Sequence, residues 1–151
     1  MKIIGHRHTG IIVCNLEEMA SFYVALGFKQ TRRDLEQGDF ISHLVGLENS
    51  TLETIKLALE NGYIIELMKY ISHEPSTRSN EDKYGRPKYY FGYDHIGFTV
   101  DNIDEVIERT LSLGGELVSL PISTNPGLPS IHAYIRDPEK NIIHLAQNIY
   151  T

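Results

Sequence analysis

The chain has one cysteine, Cys14, among its 151 residues. That excludes an intrachain disulfide and suits a reducing compartment. A lone cysteine in an apolar strand is expected to be a packing residue rather than a nucleophile. No block of five like charges occurs. Acids and bases are interspersed and the formal net charge is -6, so nucleic acid is not an expected partner. Nor is there a run of about 20 apolar residues, the length a membrane-spanning helix needs. The opening MKIIGHRHTGIIV has only a brief apolar run broken by His, Arg and Gly, unlike a secretory signal. A cytoplasmic location with no membrane partner is therefore expected. What is present suits one domain: the length lies in the usual range of roughly 100 to 200 residues, and 41% hydrophobic content is enough for a core that folds alone.

The chain also contains itself twice. HTGIIVCNLEEM from His8 lies on HIGFTVDNIDEV from His95, an offset of 87 residues at which His, Gly, Val, Asn and Glu coincide. The same offset carries Leu26-Gly27 onto Leu113-Gly114. Each copy opens with an alternating apolar strand, about 8–13 and 95–100. A helix follows, with Asn15 or Asn102 as its N-cap and acids in its first turn. Leu16, Met19, Ala20, Tyr23 and Leu26 recur at helical spacing, as do Ile103, Val106, Ile107, Thr110 and Leu111, so both helices are amphipathic covers for a sheet.

Further strands follow each helix. TIKLALE (54–60) and YIIELMKY (63–70), joined by Asn61-Gly62, form a hairpin. SIHAYIRD and NIIHLAQ repeat the design around Pro138-Glu139-Lys140. Aligning YIIEL with NIIHL places Glu66 on His144 at an offset of 78. The fold class is therefore α+β, with two βαβββ modules, the first nine residues longer between its opening His and its last-strand polar residue. We expect one domain over 1–151, with module 1 at about 5–70, an intermodule loop at about 71–92 and module 2 at about 93–151. The segment 71–93 is polar and Tyr-rich, and SLPISTNPGLPS (119–130) carries three prolines. Both read as loops, either as lids and binding segments or, for the first, as a plain linker.

The duplication singles out four polar residues. His8 and His95 open the first strand of each copy, and Glu66 and His144 sit in the middle of the last. Alternation along a strand puts Ile64, Glu66 and Met68 on one face. An ionised Glu amid apolar neighbours is costly unless paired or metal-bound, and Lys56 and Lys69 are the candidate ion-pair partners. Three imidazoles and one carboxylate are a donor set for a divalent transition metal (Zn, Ni, Fe, Co or Mn). Among the other histidines, His6 has no repeat partner, and His43 and His73 lie in segments of loop character. His132, Tyr134 and Arg136 project from one strand face and either line a substrate pocket or form an ordinary polar sheet face. Tyr84, Arg86, Lys88, Tyr89 and Tyr90 of the intermodule loop either contact substrate or stud a solvated linker.

These residues resemble the vicinal oxygen chelate superfamily, which includes glyoxalase I, methylmalonyl-CoA epimerase, extradiol dioxygenases, and fosfomycin- and bleomycin-resistance proteins. The likeness runs through HTGIIVCNLEEMASFYVALGF, FISHLVGLENSTLETIKLALENGYIIELMKY, YDHIGFTVDNIDEVIERTLSLGGELV and YIRDPEKNIIHLAQ. It implies a glyoxalase-like fold in which curved sheets form a half-open barrel around a divalent metal, and it suggests a homodimer. Carried over residue by residue, it implies metal ligands at His8, Glu66 and His95 and at the position of His144. The chain departs from the family there. The usual DPEGNxIEL motif reads DPEKNIIHL, with His144 in place of Glu and Lys140 in place of the turn Gly.

The expected activity is that of an enzyme acting on a small molecule: a metal-dependent lyase or isomerase of glyoxalase or epimerase type. It would remove a proton alpha to a carbonyl while the metal chelates vicinal oxygens and holds the enediolate. Glu66 or His144 would be the base. The alternatives are an Fe(II) extradiol-type dioxygenase with His8, His95 and Glu66 as facial triad, and a non-catalytic protein that sequesters its ligand.

Overall fold

The computed structural model describes residues 2–73, 92–123 and 129–149. The chain divides into two compact units, Met1–Ser76 and Thr77–Thr151. The first contains β1 (Thr9–Ile12), α1 (Leu16–Ala25), β2 (Lys29–Gln37), α2 (Asp39–Val45), β3 (Thr51–Ala58) and β4 (Ile64–Tyr70). The second contains β5 (His95–Thr99), α3 (Ile103–Ser112), β6 (Glu116–Ser123), β7 (Ser130–Arg136) and β8 (Ile142–Asn148). Each unit builds a four-stranded mixed sheet, ordered β1-β4-β3-β2 in the first and β5-β8-β7-β6 in the second. The opening strand runs parallel to the closing one and the remaining pairs are antiparallel.

The registers bear out the internal repeat. Gly10 pairs with Glu66 and Gly97 with His144. Lys56 lies opposite Glu66 as Tyr134 lies opposite His144. The nine-residue excess of the first copy is largely explained by α2, a seven-residue helix inserted between β2 and β3.

Both long helices start as their sequence dictates. Asn15 Oδ1 accepts from the backbone N–H of Glu18 at 3.2 Å, and Asn102 Oδ1 from that of Glu105 at 3.1 Å. The Asn side chain thereby satisfies one of the donors that a helix start leaves open. Helix α1 packs over β2, β3 and β4, and α3 over β6, β7 and β8. In the first unit the core includes Met19, Phe22 and Tyr23 of α1 with Ile55, Leu57, Ile65 and Leu67 of the sheet, all essentially fully buried. In the second it includes Ile103, Ile107 and Thr110 of α3 with Ala133, Ile135, Ile143 and Leu145. Because strand side chains alternate, Glu66 and His144 project from the sheet face opposite these apolar neighbours.

The hairpin at Asn61-Gly62 forms as the sequence predicts. Gly62 takes φ +85°, and Asn61 Oδ1 accepts from the Tyr63 N–H. Its first strand ends at Ala58 rather than residue 60.

Three sequence expectations are corrected. Residues 119–123 are not loop but the second half of β6. Pro121 is accommodated because β6 is a sheet edge, and the ladder is irregular between Ser119 and Ile122. His43 lies in helix α2 rather than in a loop. Cys14 is exposed, because β1 ends at Ile12 and the chain has already turned out towards the Asn15 cap. The charged strand β2, KQTRRDLEQ, carries no apolar alternation because it is an exposed edge. Among the described residues, no helix is long and apolar enough to cross a membrane.

Candidate functional site

In the first unit the site is a row of side chains running across the sheet. Glu66, at the centre of β4, is only 7% exposed. Its Oε2 lies 3.1 Å from His8 Nε2 and its Oε1 lies 3.1 Å from Lys56 Nζ. Of the two lysines that could pair with it, the partner is therefore Lys56. Arg32, opposite Lys56 on β2, pairs with Asp34 at 2.5 Å. That hydrogen bond holds the guanidinium more firmly protonated, with Glu66 adding a weaker attraction. His6, two residues before His8, stacks on Tyr63 at 5.4 Å and belongs to the strand's approach rather than to this row.

In the second unit the corresponding row is aromatic and imidazole-rich. His144 Nε2 lies 2.9 Å from His132 Nδ1, and His132 Nε2 lies 2.8 Å from Ser130 Oγ. The His132 and His144 rings are nearly parallel, with centroids 5.1 Å apart, and Tyr134 stacks on His144 at 4.9 Å. His95 meets both Tyr134 and His144 edge-on, at 5.2 and 5.5 Å. Gly97 leaves room beside the imidazole: a Cβ there would lie 3.6 Å from His144 Nδ1. Asp94 Oδ2 holds His95 Nδ1 at 2.8 Å, leaving Nε2 as the ring nitrogen for a further partner.

The structure therefore gathers His8 with Glu66, and His95 with His144, His132 and Tyr134. Arg136 reaches Glu116 at 3.5 Å, beside Lys140, which holds the same carboxylate at 2.6 Å. The Lys140 hydrogen bond lowers the Glu116 pKa, and Arg136 adds to it. Tyr84, Arg86, Lys88, Tyr89 and Tyr90 lie outside the described residues.

Two participants escaped sequence reasoning. Asp94 was legible as a carboxylate adjacent to a repeat-marked histidine. Ser130 carried no signal beyond sharing a face with His132. The sequence marks Lys56 as a neutralising partner of Glu66, and the offset that maps Glu66 onto His144 also maps Lys56 onto Tyr134.

The donor types suit a divalent transition metal: imidazole nitrogens and a carboxylate oxygen. A carboxylate on the remote ring nitrogen, as Asp94 is on His95, is the usual support for a ligating histidine. Among the described residues, no three His, Cys, Asp or Glu side chains stand gathered as a metal-holding group.

Two βαβββ-type units with polar residues at matching strand positions define a glyoxalase-like fold. The chain belongs to the glyoxalase/bleomycin resistance protein/dioxygenase superfamily, whose model matches residues 5–145. It is similar to a glyoxalase family protein from Bacillus cereus, with 26% identity, 99% of this chain and 97% of that one covered, and a TM-score of 0.87. It is also similar to a glyoxylase/bleomycin resistance protein/dioxygenase domain from Frankia sp., with 16% identity, coverage of 98% and 100%, and a TM-score of 0.66. A third similar structure is the fosfomycin resistance protein FosX from Listeria monocytogenes, complexed with Mn(II) and sulfate. There the identity is 20%, the coverage 98% and 95%, and the TM-score 0.56. No curated protein matches the chain.

Proposed function

We propose that the protein is a metal-dependent lyase or isomerase that removes a proton alpha to a carbonyl of a small-molecule substrate. The observation that carries this reading is the matched placement of Glu66 and His144. Each sits mid-strand, opposite a glycine of the opening strand, on the face away from the helix-covered core. In this reading His8, Glu66 and His95 are the ligands of a divalent cation, and the Listeria relative's complex with Mn(II) supports a cation of that kind. Such a cation supplies Lewis-acid stabilisation of developing negative charge, worth several kcal/mol.

His144 is assigned as the base rather than as a fourth ligand, because its Nε2 is engaged by His132. An imidazole exchanges protons readily near neutral pH. A proton taken at His144 Nδ1 makes the ring cationic, and its Nε2–H then donates to His132 Nδ1. Ser130 Oγ in turn accepts from His132 Nε2–H, which fixes the tautomer whose Nδ1 accepts. Tyr134, stacked on His144, limits rotation of the ring. The same reading takes a homodimer as the assembly, which sedimentation of the purified protein checks.

The test is exchange of substrate α-protons in D2O, followed by NMR across a panel of 2-oxo acids, hydroxyketones and thioesters with metal-loaded protein. Exchange that disappears in His144→Ala supports the reading, and full exchange in that variant removes His144 from the mechanism. Tight binding of a ligand without exchange or turnover points to sequestration instead.

One observation favours a second reading. With His144 Nε2 turned to His132, the remaining donors are two imidazoles and one carboxylate, the facial set of Fe(II) oxygenases. Oxygen uptake by Fe(II)-loaded protein with catechols decides it, and no uptake across a catechol panel rules it out.

A further inference from the structure

The two copies differ in the residue that faces the central polar group, and the difference is one of charge. In the first copy Lys56 lies across from Glu66, and in the second Tyr134 lies across from His144. Two residues earlier on the same strand faces, Thr54 in the first copy corresponds to His132 in the second. Lys56 retains 27% side-chain exposure and its ammonium rests on Glu66 Oε1 at 3.1 Å. Thr54 is 3% exposed, and its buried hydroxyl has no hydrogen-bond partner among the described residues.

A single carboxylate thus serves both His8 and Lys56. If His8 and Glu66 commit to a divalent cation, the Lys56 ammonium loses most of its partner's charge. It is then left half-buried beside a divalent cation. An uncompensated cation in such a place is costly, and like charges at contact distance repel strongly. Asp34 on the neighbouring strand does not supply the missing anion, because its carboxylate is engaged by Arg32. The missing partner must arrive with the ligand.

We propose that Lys56 is the receptor for an anionic oxygen group of the substrate, with the Thr54 hydroxyl as a second donor to that group. The substrates are accordingly small acids rather than neutral carbonyl compounds. This inference rests on the metal reading given above, and adds to it which chemical class of substrate the first copy selects. The second copy, with Tyr134 in the equivalent place, supplies no such charge.

The experiment is calorimetric titration of the full chain, first with Mn(II) alone. The Mn(II)-loaded protein is then titrated with oxalate and with inorganic phosphate, in wild type, Lys56→Gln and Lys56→Arg. Mn(II) affinity should be kept or rise in Lys56→Gln, since the ammonium that competes for Glu66 is gone, whereas affinity for at least one anion should fall on the order of 10- to 100-fold, the worth of a hydrogen bond to a charged group. Lys56→Arg should restore most of it. Loss with oxalate alone identifies a carboxylate as the group recognised, and loss with phosphate alone a phosphoryl group. Unchanged anion affinity in Lys56→Gln, or no binding of either anion to Mn(II)-loaded wild type, overturns the proposal and leaves the metal reading standing. Failure of the wild type to bind Mn(II) removes the metal reading and this inference together. A circular dichroism spectrum matching wild type establishes that each variant is folded.

Discussion

His132 and His144 meet edge to edge on adjacent strands, their rings inclined by only 8° and joined by a hydrogen bond of 2.9 Å. In the proposed mechanism His132 acts through His144. Replacing His144 by Ala should lower turnover by roughly 10²- to 10⁴-fold, the usual contribution of a positioned acid–base group. His132→Ala should cost less, on the order of 10-fold, as a partner that orients the acting residue. Metal content should be unchanged in both. Turnover measured with metal analysis checks this, and equal losses in the two variants would contradict the ordering.

Glu66 is held between His8 and Lys56 on a largely buried strand. Glu66→Gln removes the charge that neutralises Lys56, and we expect a loss of about 1 to 3 kcal/mol of stability. The double variant Lys56→Met/Glu66→Met should recover much of that loss, since an apolar pair can replace a buried ion pair at little cost. Metal binding should stay lost in both variants. Urea denaturation alongside metal titration separates the two effects, and a double variant less stable than Glu66→Gln would refute the account.

Much of this fold was legible because the sequence repeats. The registers Gly10 with Glu66 and Gly97 with His144 follow from two short alignments. The caps at Asn15 and Asn102 follow from residue type. What could not be read was set by solvent and by edges. Strand β2 is charged and carries no alternation because it lies exposed at the sheet edge. Pro121 looked like a strand breaker, yet an edge leaves a residue without an N–H unpenalised. The site was legible as a list of residues but not as a set of contacts. Nothing in residue order turns His144 towards His132, or Arg136 towards Glu116.

The Glu116 carboxylate has its pKa lowered chiefly by the Lys140 hydrogen bond, with Arg136 assisting. A carboxylate whose folded pKa is lowered stabilises the fold above its unfolded value. That contribution is lost as pH falls below about 4.3 and through the folded value. Lys140 also adopts φ +72°, where glycine is at ease and lysine is not. Lys140→Gly should therefore stay within about 1 kcal/mol of wild type at pH 7, since relief of backbone strain offsets a partly exposed ion pair. Its stability should fall less steeply than wild type's on acidification below about pH 4.3. Denaturation midpoints at several pH values test this, and parallel acid limbs would count against it.

Helix α3 begins with two side-chain acceptors. Asn102 Oδ1 takes the Glu105 N–H, and Gln147 Oε1, from the end of β8, takes the Ile103 N–H at 2.7 Å. Asn102→Ala and Gln147→Ala should each destabilise by about 1 kcal/mol, with turnover at permissive temperature retained. Thermal melts with activity assays check both numbers. A Gln147→Ala melt indistinguishable from wild type would show that water replaces that acceptor freely.

Gln147 follows Ile143 and Leu145 on the helix-facing side of β8, while His144 points the other way. A slip of one residue would turn His144 into the apolar packing, expose Ile143 and Leu145, and carry Gln147 away from the Ile103 amide. The amide at the helix start thus works as an end-stop for the strand. Mutational drift in β8 is checked from outside the site, so the placement of His144 inherits an alignment that folding alone would already have selected.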